Sequence, residues 1–354
     1  MSRPRRKKSI PKGQGAKDFK KAWMDLFTYM DRFKKWFLLA LIFAFIGTAL
    51  SLIGPDLISD VTDLIENGLA PGAVMDLDAI IDICLTLVVI FVASAILTFL
   101  QNYIMATVSQ RTASNFRSDI ARKINRIPLK YFDSNTTGDV MSRVTNDVDT
   151  VGGSLNQSIS MLVTSVTMLI GSLFMMAITN VTMTVAAVLS SLIGFVLMGL
   201  IMGRSQKHFN RQQEDLGNMN GHVEESYAGH QVMKAYNGES KAMTEFDEIN
   251  ESLFRSGFMS QFLGGLMMPL MGFIGNFGYI VVCLVGTVLY LDGAIGFGTI
   301  VAFMMYVRLF TQPLSQISQA AIQMQAVAAA SERVFEFLNE EEMEPDTENP
   351  VEPG

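Results

Sequence analysis

Long stretches without a charged residue dominate the pattern of this chain. Residues 150–203 contain no Asp, Glu, Lys or Arg over 54 positions, and residues 256–291 contain none over 36 positions. An apolar, uncharged stretch of about 18 residues or more is typical of a helix that crosses a membrane. The pattern therefore predicts an all-α polytopic membrane protein.

Six membrane spans follow when the apolar stretches are divided into units of about 20 residues, the length that crosses a bilayer core of about 30 Å. The longest uncharged run holds two antiparallel spans, with the turn between them at Thr179 and Asn180. The second span is longer than a bilayer requires, so we expect its helix to leave the membrane. The predicted spans are residues 36–54, 83–110, 155–178 and 181–202, one span within residues 257–290, and one that begins after Gly298 and runs toward Ala330.

The positions of Lys and Arg predict the orientation of these spans. Of the 27 Lys and Arg residues, 12 lie in residues 1–35, 7 in residues 111–149 and 6 in residues 204–255. The predicted outer loop at residues 56–82 instead carries seven acidic residues. Because positive residues mark the cytoplasmic side, both termini and the two long connections are predicted to be cytoplasmic, in a plasma or inner membrane.

The N-terminal region divides into two predicted parts. Residues 1–18 are rich in Lys, Arg, Pro and Gly and read as a disordered basic arm. Residues 19–35 place Trp23, Leu26 and Met30 at helical spacing, which predicts an amphipathic elbow helix on the inner membrane surface. Beside a membrane span, anionic lipid headgroups are the expected partner of the arm, rather than nucleic acid.

Composition argues against several kinds of chemistry. Mean hydropathy is +0.31, and the sequence has only two cysteines, both in apolar segments, which excludes a disulfide framework and a Cys-rich zinc site. The three histidines have no metal-like spacing. No Gly-x-x-x-x-Gly-Lys-[Ser/Thr] motif occurs in these residues. We therefore expect no catalytic, cofactor or metal site in the chain as given.

The two long connections hold 39 and 52 residues, and their helical periodicity continues. Each is predicted to be a helical hairpin that extends the adjoining spans. At the tip of the first, Tyr131 and Phe132 precede a turn-forming cluster. The tip is either a plain turn or a docking knob that exposes its aromatic residues.

Three dispersed segments resemble ATP-binding cassette (ABC) exporters. The first is IPLKYFD at residues 127–133 followed by TGDVMSRVTNDV at 137–148, which resembles their first intracellular loop. The second is EESYAGHQVMKAY at 224–236, which is similar to their second coupling segment. The third comprises residues 293–303, QPL at 312–314 and SERVFE at 331–336. The resemblance covers about residues 20–340.

This resemblance implies a transmembrane domain of type I, also called type IV, with six long helices at residues 19–338 that pairs with an identical or homologous half. It also implies that the hairpin tips contact nucleotide-binding domains, which would hold ATP and Mg²⁺. The residues that the resemblance assigns to this coupling are Tyr131, Phe132, Asp133, Asn135, Thr137, His222, Glu225, Tyr227 and Gly229.

The family's ATPase domain follows such a region, so we interpret residues 339–354, which are acidic and contain three prolines, as a linker toward an absent nucleotide-binding domain. The alternative is a natural acidic tail. On the linker reading, the chain as given looks cut at a domain boundary and neither binds nor hydrolyses ATP.

The sixth span carries a polar stripe. Arg308, Gln312, Gln316 and Gln319 lie on one helical face, and Arg308 is the only charge in the predicted spans. Polar groups in a membrane are costly unless they face a bundle interior or a water-filled cavity. We therefore predict that the stripe lines the substrate pathway. For Gln319 the alternative is a position in the cytoplasmic extension of the helix, where it contacts water. The third span adds Asn156 and Thr164, which serve either the pathway or helix packing.

Three functions compete at this stage. The first is the membrane half of an ATP-driven exporter of drugs, lipids or peptides. The second is a regulatory or channel-like protein on the same scaffold. The third, an ion-coupled carrier, ranks last because the acidic residues lie in loops and not in the predicted spans.

Overall fold

The computed structural model describes residues 16, 18–134 and 137–343. Within these ranges every regular element is a helix, which confirms the predicted fold class. Residues 1–15 and 17 of the predicted arm, and residues 344–354 of the predicted linker, lie outside the described residues. Six helical stretches of the described ranges are long and apolar enough to cross a membrane: Asp31–Gly68, Leu77–Ile124, Val140–Thr179, Val181–Ala228, Glu239–Leu291 and Phe297–Leu338.

The helices follow one another with short connections. In chain order they are α1 (Phe19–Tyr29), α2 (Lys34–Ser51), α3 (Gly54–Gly68), α4 (Leu77–Ile124), α5 (Leu129–Ser134), α6 (Thr137–Ser142), α7 (Val148–Thr179), α8 (Val181–Ala228), α9 (His230–Ala235), α10 (Glu239–Gly265), α11 (Met267–Leu291) and α12 (Phe297–Leu338). A short 3₁₀ turn, Asp31–Phe33, precedes α2, and a π-helical segment, Arg143–Asp147, precedes α7.

The turn predicted at Thr179 and Asn180 is confirmed. Asn180 has an extended backbone, with φ −160° and ψ 118°, and its side-chain Oδ1 accepts a hydrogen bond from the Met183 amide at 3.0 Å. Asparagine is well suited to this position because its side chain satisfies an amide that the first helical turn leaves open. Asn180 therefore both ends the connection after α7 and caps the first turn of α8.

The predicted helical extensions are also present. Helices α4 and α8 each contain 48 residues, which corresponds to about 72 Å at 1.5 Å per residue. A bilayer core is only about 30 Å thick. Each helix therefore extends well beyond the membrane, and the described chain is that of a multi-pass membrane protein.

The segment after the first span differs from the prediction. Residues 56–82 were expected to be a loop, but α3 occupies Gly54–Gly68. Pro55 lies in the first turn, where its missing N–H is not needed. A Cβ at Gly54 would lie 2.9 Å from Cζ of Phe91, so the absent side chain lets α3 begin close against α4.

The predicted elbow helix over residues 19–35 is not continuous. Helix α1 ends at Tyr29, because Met30 leaves the helical conformation with ψ 9° and buries its side chain in the core. Trp23 and Leu26 are buried as well. Trp23, Leu26 and Met30 thus pack on the protein itself. The location of this helix on the inner membrane surface stays a prediction.

The chain forms two compact units, which are described separately. The first comprises residues 1–175 and 309–354, and the second comprises residues 176–308. The core of the first unit joins buried residues of α1, α4 and α12, among them Leu26, Phe116, Ile120, Val334 and Phe337.

In the second unit, α8 packs against α10 and α11. Between α8 and α11, Gly194 allows a close approach, because a Cβ there would lie 2.8 Å from Cγ2 of Ile274 and closer still to its Cγ1. Between α8 and α10, the buried carboxylate of Asp215 accepts hydrogen bonds from the hydroxyls of Ser252 and Ser256, at 3.2 and 2.7 Å. These hydrogen bonds satisfy a charge that burial would otherwise penalise.

Candidate functional site

The tip of the first long hairpin consists of α5, α6 and the π-helical segment. Tyr131 and Phe132 lie on α5, and both side chains are half-buried. The Tyr131 ring lies 5.7 Å from that of Phe132 and 5.9 Å from that of Phe337 at the end of α12. Phe337 of α12 thus covers part of the Tyr131 ring, and neither aromatic side chain is fully exposed. The docking role of this tip stays a prediction.

Other predicted residues of this tip are placed differently. Asp133 is exposed. Thr137 begins α6. Asn135 lies outside the described residues.

Ion pairs attach the base of this tip to α12. Nε and Nη2 of Arg333 donate to Oδ2 and Oδ1 of Asp147, at 3.0 and 2.5 Å. Nη2 of Arg143 lies 3.7 Å from Oε2 of Glu336, and its guanidinium carbon lies 5.9 Å from the centre of the Phe337 ring. The π-helical segment thus presents its first and last residues, Arg143 and Asp147, to the same helix.

The same base includes α1. The Tyr29 hydroxyl donates to Oδ2 of Asp119 at 2.5 Å, and the Tyr29 ring stacks on Phe116 at 4.2 Å. Burial, together with the hydrogen bond and the charge of Asp119, raises the pKa of the Tyr29 phenol. Tyr29 therefore stays a neutral donor at physiological pH.

The second long hairpin is formed by α8 and α10 and is closed by α9. Gly229 ends α8, and its amide donates to the Glu225 carbonyl at 2.8 Å. After α9, Asn237 takes a left-handed backbone with φ 50°, and the Gly238 amide donates to the Met233 carbonyl at 2.8 Å. The reversal thus lies at residues 229–238, C-terminal to most of the residues that were predicted to form it.

Exposure separates the predicted residues of this second tip. Tyr227 is 87% exposed, and Glu225 is also exposed. His222 lies inside the hairpin instead, with Nε2 at 3.0 Å from the Ala242 carbonyl and its ring 6.4 Å from that of Phe246. Tyr236 is 83% exposed, so it offers an exposed aromatic ring at this tip as Tyr227 does. The resemblance contained Tyr236, but its exposure could only be read from the structure.

The polar residues of the apolar helices form two separate hydrogen-bonded groups in the first unit. Nε2 of Gln101 donates to Oγ of Ser160 at 2.7 Å, and Ser160 donates to Oδ1 of Asn156 at 3.3 Å. Oγ of Ser165 donates to Oε1 of Gln316 at 2.9 Å, which joins α7 to α12. The sequence did not single out Gln101 as a pathway residue, and no local pattern indicated that Ser165 pairs with Gln316.

The remaining pathway candidates differ from Asn156 and Gln316. Thr164 donates to the Ser160 carbonyl of its own helix at 2.8 Å. Arg308, Gln312 and Gln319 are exposed. Helix α12 continues through Pro313. No cluster of three or more His, Cys, Asp or Glu residues that could hold a metal ion occurs among residues 16, 18–134 and 137–343.

Comparison with known proteins agrees with this architecture. The family described as ABC transporter transmembrane region matches residues 37–314. A fatty acid ABC transporter ATP-binding/permease protein of Mycobacterium bovis is 31% identical over 337 residues, which are 85% of this chain and 53% of the relative. An uncharacterised ABC transporter ATP-binding protein of Bacillus subtilis is 31% identical over 98% of this chain and 56% of the relative.

A more distant relative is the multidrug resistance ABC transporter ATP-binding and permease protein of Lactococcus lactis, 23% identical over 86% of this chain and 50% of the relative. The chain spans about half the length of these relatives. The family match and the six-helix architecture together confirm the resemblance found in the sequence. The chain belongs to the family of ABC transporter transmembrane regions, and its fold is that of the exporter type, type I or type IV.

Proposed function

We propose that this chain is the membrane-spanning half of an ATP-driven exporter that alternates between inward-facing and outward-facing states. The observation that carries the proposal is the pair of hairpins, built on helices about 72 Å long and closed by the short helices α5 and α9. A channel or carrier without an attached motor has no evident need for hairpins of this length.

The proposal requires two partners. An ATP-binding region, in the same polypeptide or in a separate subunit, would hold ATP and Mg²⁺, in keeping with the names of the relatives. A second half, identical or homologous, would complete the pathway. No role for nucleic acid is proposed.

The two hairpin tips would transmit the movement of the ATP-binding region. Tyr227 and Tyr236 offer exposed aromatic surface for docking, and Asp133 and Glu225 offer exposed charge. Tyr131 would act differently, since it contacts Phe337 and thereby supports the tip from within. In the proposed scheme, Phe132, Asn135, Thr137, His222 and Gly229 shape the tips.

The distribution of charge supports a cytoplasmic location for both hairpins and both termini, in a plasma or inner membrane. Membrane lipids would surround the apolar helices, and Trp36, which is 57% exposed, would lie at the headgroup level.

The substrate pathway would use the polar face of α12. Arg308, Gln312 and Gln319 are exposed in the single chain, and Gln316 is held by Ser165. Asn156 and Thr164 would contribute from α7. An apolar helix bundle with a few polar groups suits an amphipathic substrate such as a drug, lipid or peptide, and one relative is named for fatty acids.

Transport in proteoliposomes tests the proposal. The chain would be reconstituted with its ATP-binding region and its partner half, and a fluorescent fatty acid and a cationic dye would be offered with ATP or with a non-hydrolysable analogue. We expect ATP-dependent movement of at least one probe away from the face that binds ATP. Equal movement with ATP and with the analogue would contradict active export.

A further inference from the structure

The five residues that follow α12, residues 339–343, turn back onto the end of α4, and we call them the strap. The Asn339 amide still donates to the Phe335 carbonyl at 3.0 Å, which closes the last turn of α12. Four residues later, the Met343 amide donates to the Arg126 carbonyl at 2.8 Å. The strap therefore joins the ends of two helices that are far apart in sequence.

Lys123 is the centre of this contact. Its side chain is only 9% exposed, and Nζ lies 2.5 Å from the Glu340 carbonyl oxygen and 3.1 Å from Oε1 of Glu342. Nη1 of Arg126 lies 3.7 Å from the other oxygen of Glu342. Lysine is rarely buried unless it is paired, because removing an ammonium group from water is costly. Here both acceptors that compensate for the burial belong to the strap.

The neighbours of Lys123 connect the strap to the tip of the first hairpin. Ile127, four residues after Lys123, is 3% exposed in the same core as Phe337. Phe337 in turn contacts Tyr131 of α5, with ring centres 5.9 Å apart. The end of α4, the end of α12 and the tip helix thus form one packed group. Lys123 fixes the position of the strap, through which the chain continues after α12.

We propose that Lys123 is a positioning residue of the transport cycle. It holds the strap so that the end of α12 and the first hairpin move together when the ATP-binding region moves. The inference rests on the proposed function, because it concerns how movement is transmitted. Without the ammonium group, the strap would no longer link the end of α12 to the end of α4, the coupling between α12 and the hairpin would be weaker, and less transport would accompany each ATP hydrolysed.

A lysine that merely stabilises the fold would behave differently. Its loss would lower stability and reduce the amount of active protein, but the substrate moved per ATP by the remaining molecules would not change. The ratio of transport to ATP hydrolysis therefore distinguishes a positioning role from a structural one.

The test uses Lys123→Met in the complete transporter. Methionine keeps the buried stem filled, so the core is retained while the ammonium group is lost. The second variant is Glu342→Gln. Because the Glu342 side chain is 40% exposed, we expect this variant to fold even if Lys123→Met does not. The matched control is Arg122→Met, the adjacent residue on α4, whose side chain is 71% exposed and pairs with Asp119 of its own helix at 3.3 Å.

Two quantities are measured. Hydrogen–deuterium exchange of residues 339–343 reports on the strap, and we expect Lys123→Met to accelerate it about tenfold, since hydrogen bonds to a charged group are lost. The number of substrate molecules transported per ATP is expected to fall several-fold in Lys123→Met and less in Glu342→Gln. Arg122→Met should leave both quantities at the wild-type values.

Three results would overturn the inference. Unchanged exchange in Lys123→Met would show that the ammonium group does not hold the strap. Faster exchange with an unchanged transport ratio would reduce Lys123 to a local structural role. Absence of ATP-driven transport in the wild-type protein would refute the proposed function, and the inference with it, before any variant is compared.

Discussion

Arg333 of α12 holds Asp147 with two hydrogen bonds, from Nε at 3.0 Å and from Nη2 at 2.5 Å. The Asp147 side chain is 8% exposed, whereas that of Arg333 is 43% exposed. The planar fork of the guanidinium matches both oxygens of one carboxylate, which an ammonium group cannot do. The pair fixes the last residue of the π-helical segment against α12.

Replacing Arg333 by Lys should therefore lower stability even though the charge is kept. We expect a loss of about 1–2 kcal/mol, at the lower side of the range for hydrogen bonds to charged groups because Arg333 is partly exposed. The melting temperature of the purified protein in a single detergent measures this loss. Arg117→Lys is the control, because the pair of Arg117 with Asp149 is exposed on both sides and should contribute less than about 1 kcal/mol. Equal melting temperatures for the two variants would contradict the assignment.

The two hairpin tips should respond differently to loss of an aromatic ring. Tyr131→Ala removes a half-buried ring from Phe337 and should lower the melting temperature. Tyr227→Ala removes a ring that is 87% exposed and should leave the melting temperature unchanged, while it weakens the stimulation of ATP hydrolysis by substrate. Tyr131→Phe is the control for the ring itself: it keeps the contact with Phe337, loses the long hydrogen bond that Arg143 donates to the Tyr131 hydroxyl at 3.4 Å, and should retain most of the stability. Unchanged stimulation of ATP hydrolysis in Tyr227→Ala would refute the docking role.

The sequence predicted the helices better than it predicted their contacts. Apolar runs and the turn-forming Asn180 locate helix ends from local information alone, and the structure agrees with them. The partner of Tyr131 is Phe337, and the partner of Lys123 is Glu342, 219 residues away. No local pattern indicates such pairs, because they depend on where α12 ends in space.

The amphipathic segments show a second limit of the sequence. The apolar stripe with Trp23 and Leu26 predicted an amphipathic helix on the inner membrane surface, and in the structure this stripe is buried against the protein. In α3 the acidic residues suggested a loop, although its apolar positions recur with helical spacing. In both segments the spacing of apolar residues is that of a helix, but it does not show which surface covers the apolar face.

The close packing of α8 on α11 gives a prediction with an internal control. A Cβ at Gly194 would lie 2.8 Å from Cγ2 of Ile274 and closer still to Cγ1, so Gly194→Ala should force the helices apart and cost about 1–3 kcal/mol. Gly199 lies on the same helix, where an added Cβ would meet nothing within 4 Å. Gly199→Ala should therefore stabilise the helix by up to about 1 kcal/mol. Melting temperatures that move in opposite directions would support the packing, and a neutral Gly194→Ala would contradict it.

The last prediction separates two glutamines of α12 that the sequence placed on one face. Oε1 of Gln316 accepts a hydrogen bond from Ser165, whereas the Gln312 side chain is exposed in the single chain. Gln316→Leu should thus cost stability, by about 0.6–1.7 kcal/mol, the range for a hydrogen bond between membrane helices. Gln312→Leu should leave the melting temperature unchanged.

Transport should show the reverse order for the two residues. If Gln312 faces the pathway, Gln312→Leu changes the relative KM values for a neutral and a charged amphipathic probe, because a polar group that meets the substrate is lost. Gln316→Leu should change both KM values little, since its amide oxygen is already engaged by Ser165. Combining Gln316→Leu with Ser165→Ala checks the assignment through a double-mutant cycle, in which the two losses of stability should not add. A probe preference that moves with Gln316→Leu and stays constant with Gln312→Leu would place the pathway on a different face of α12.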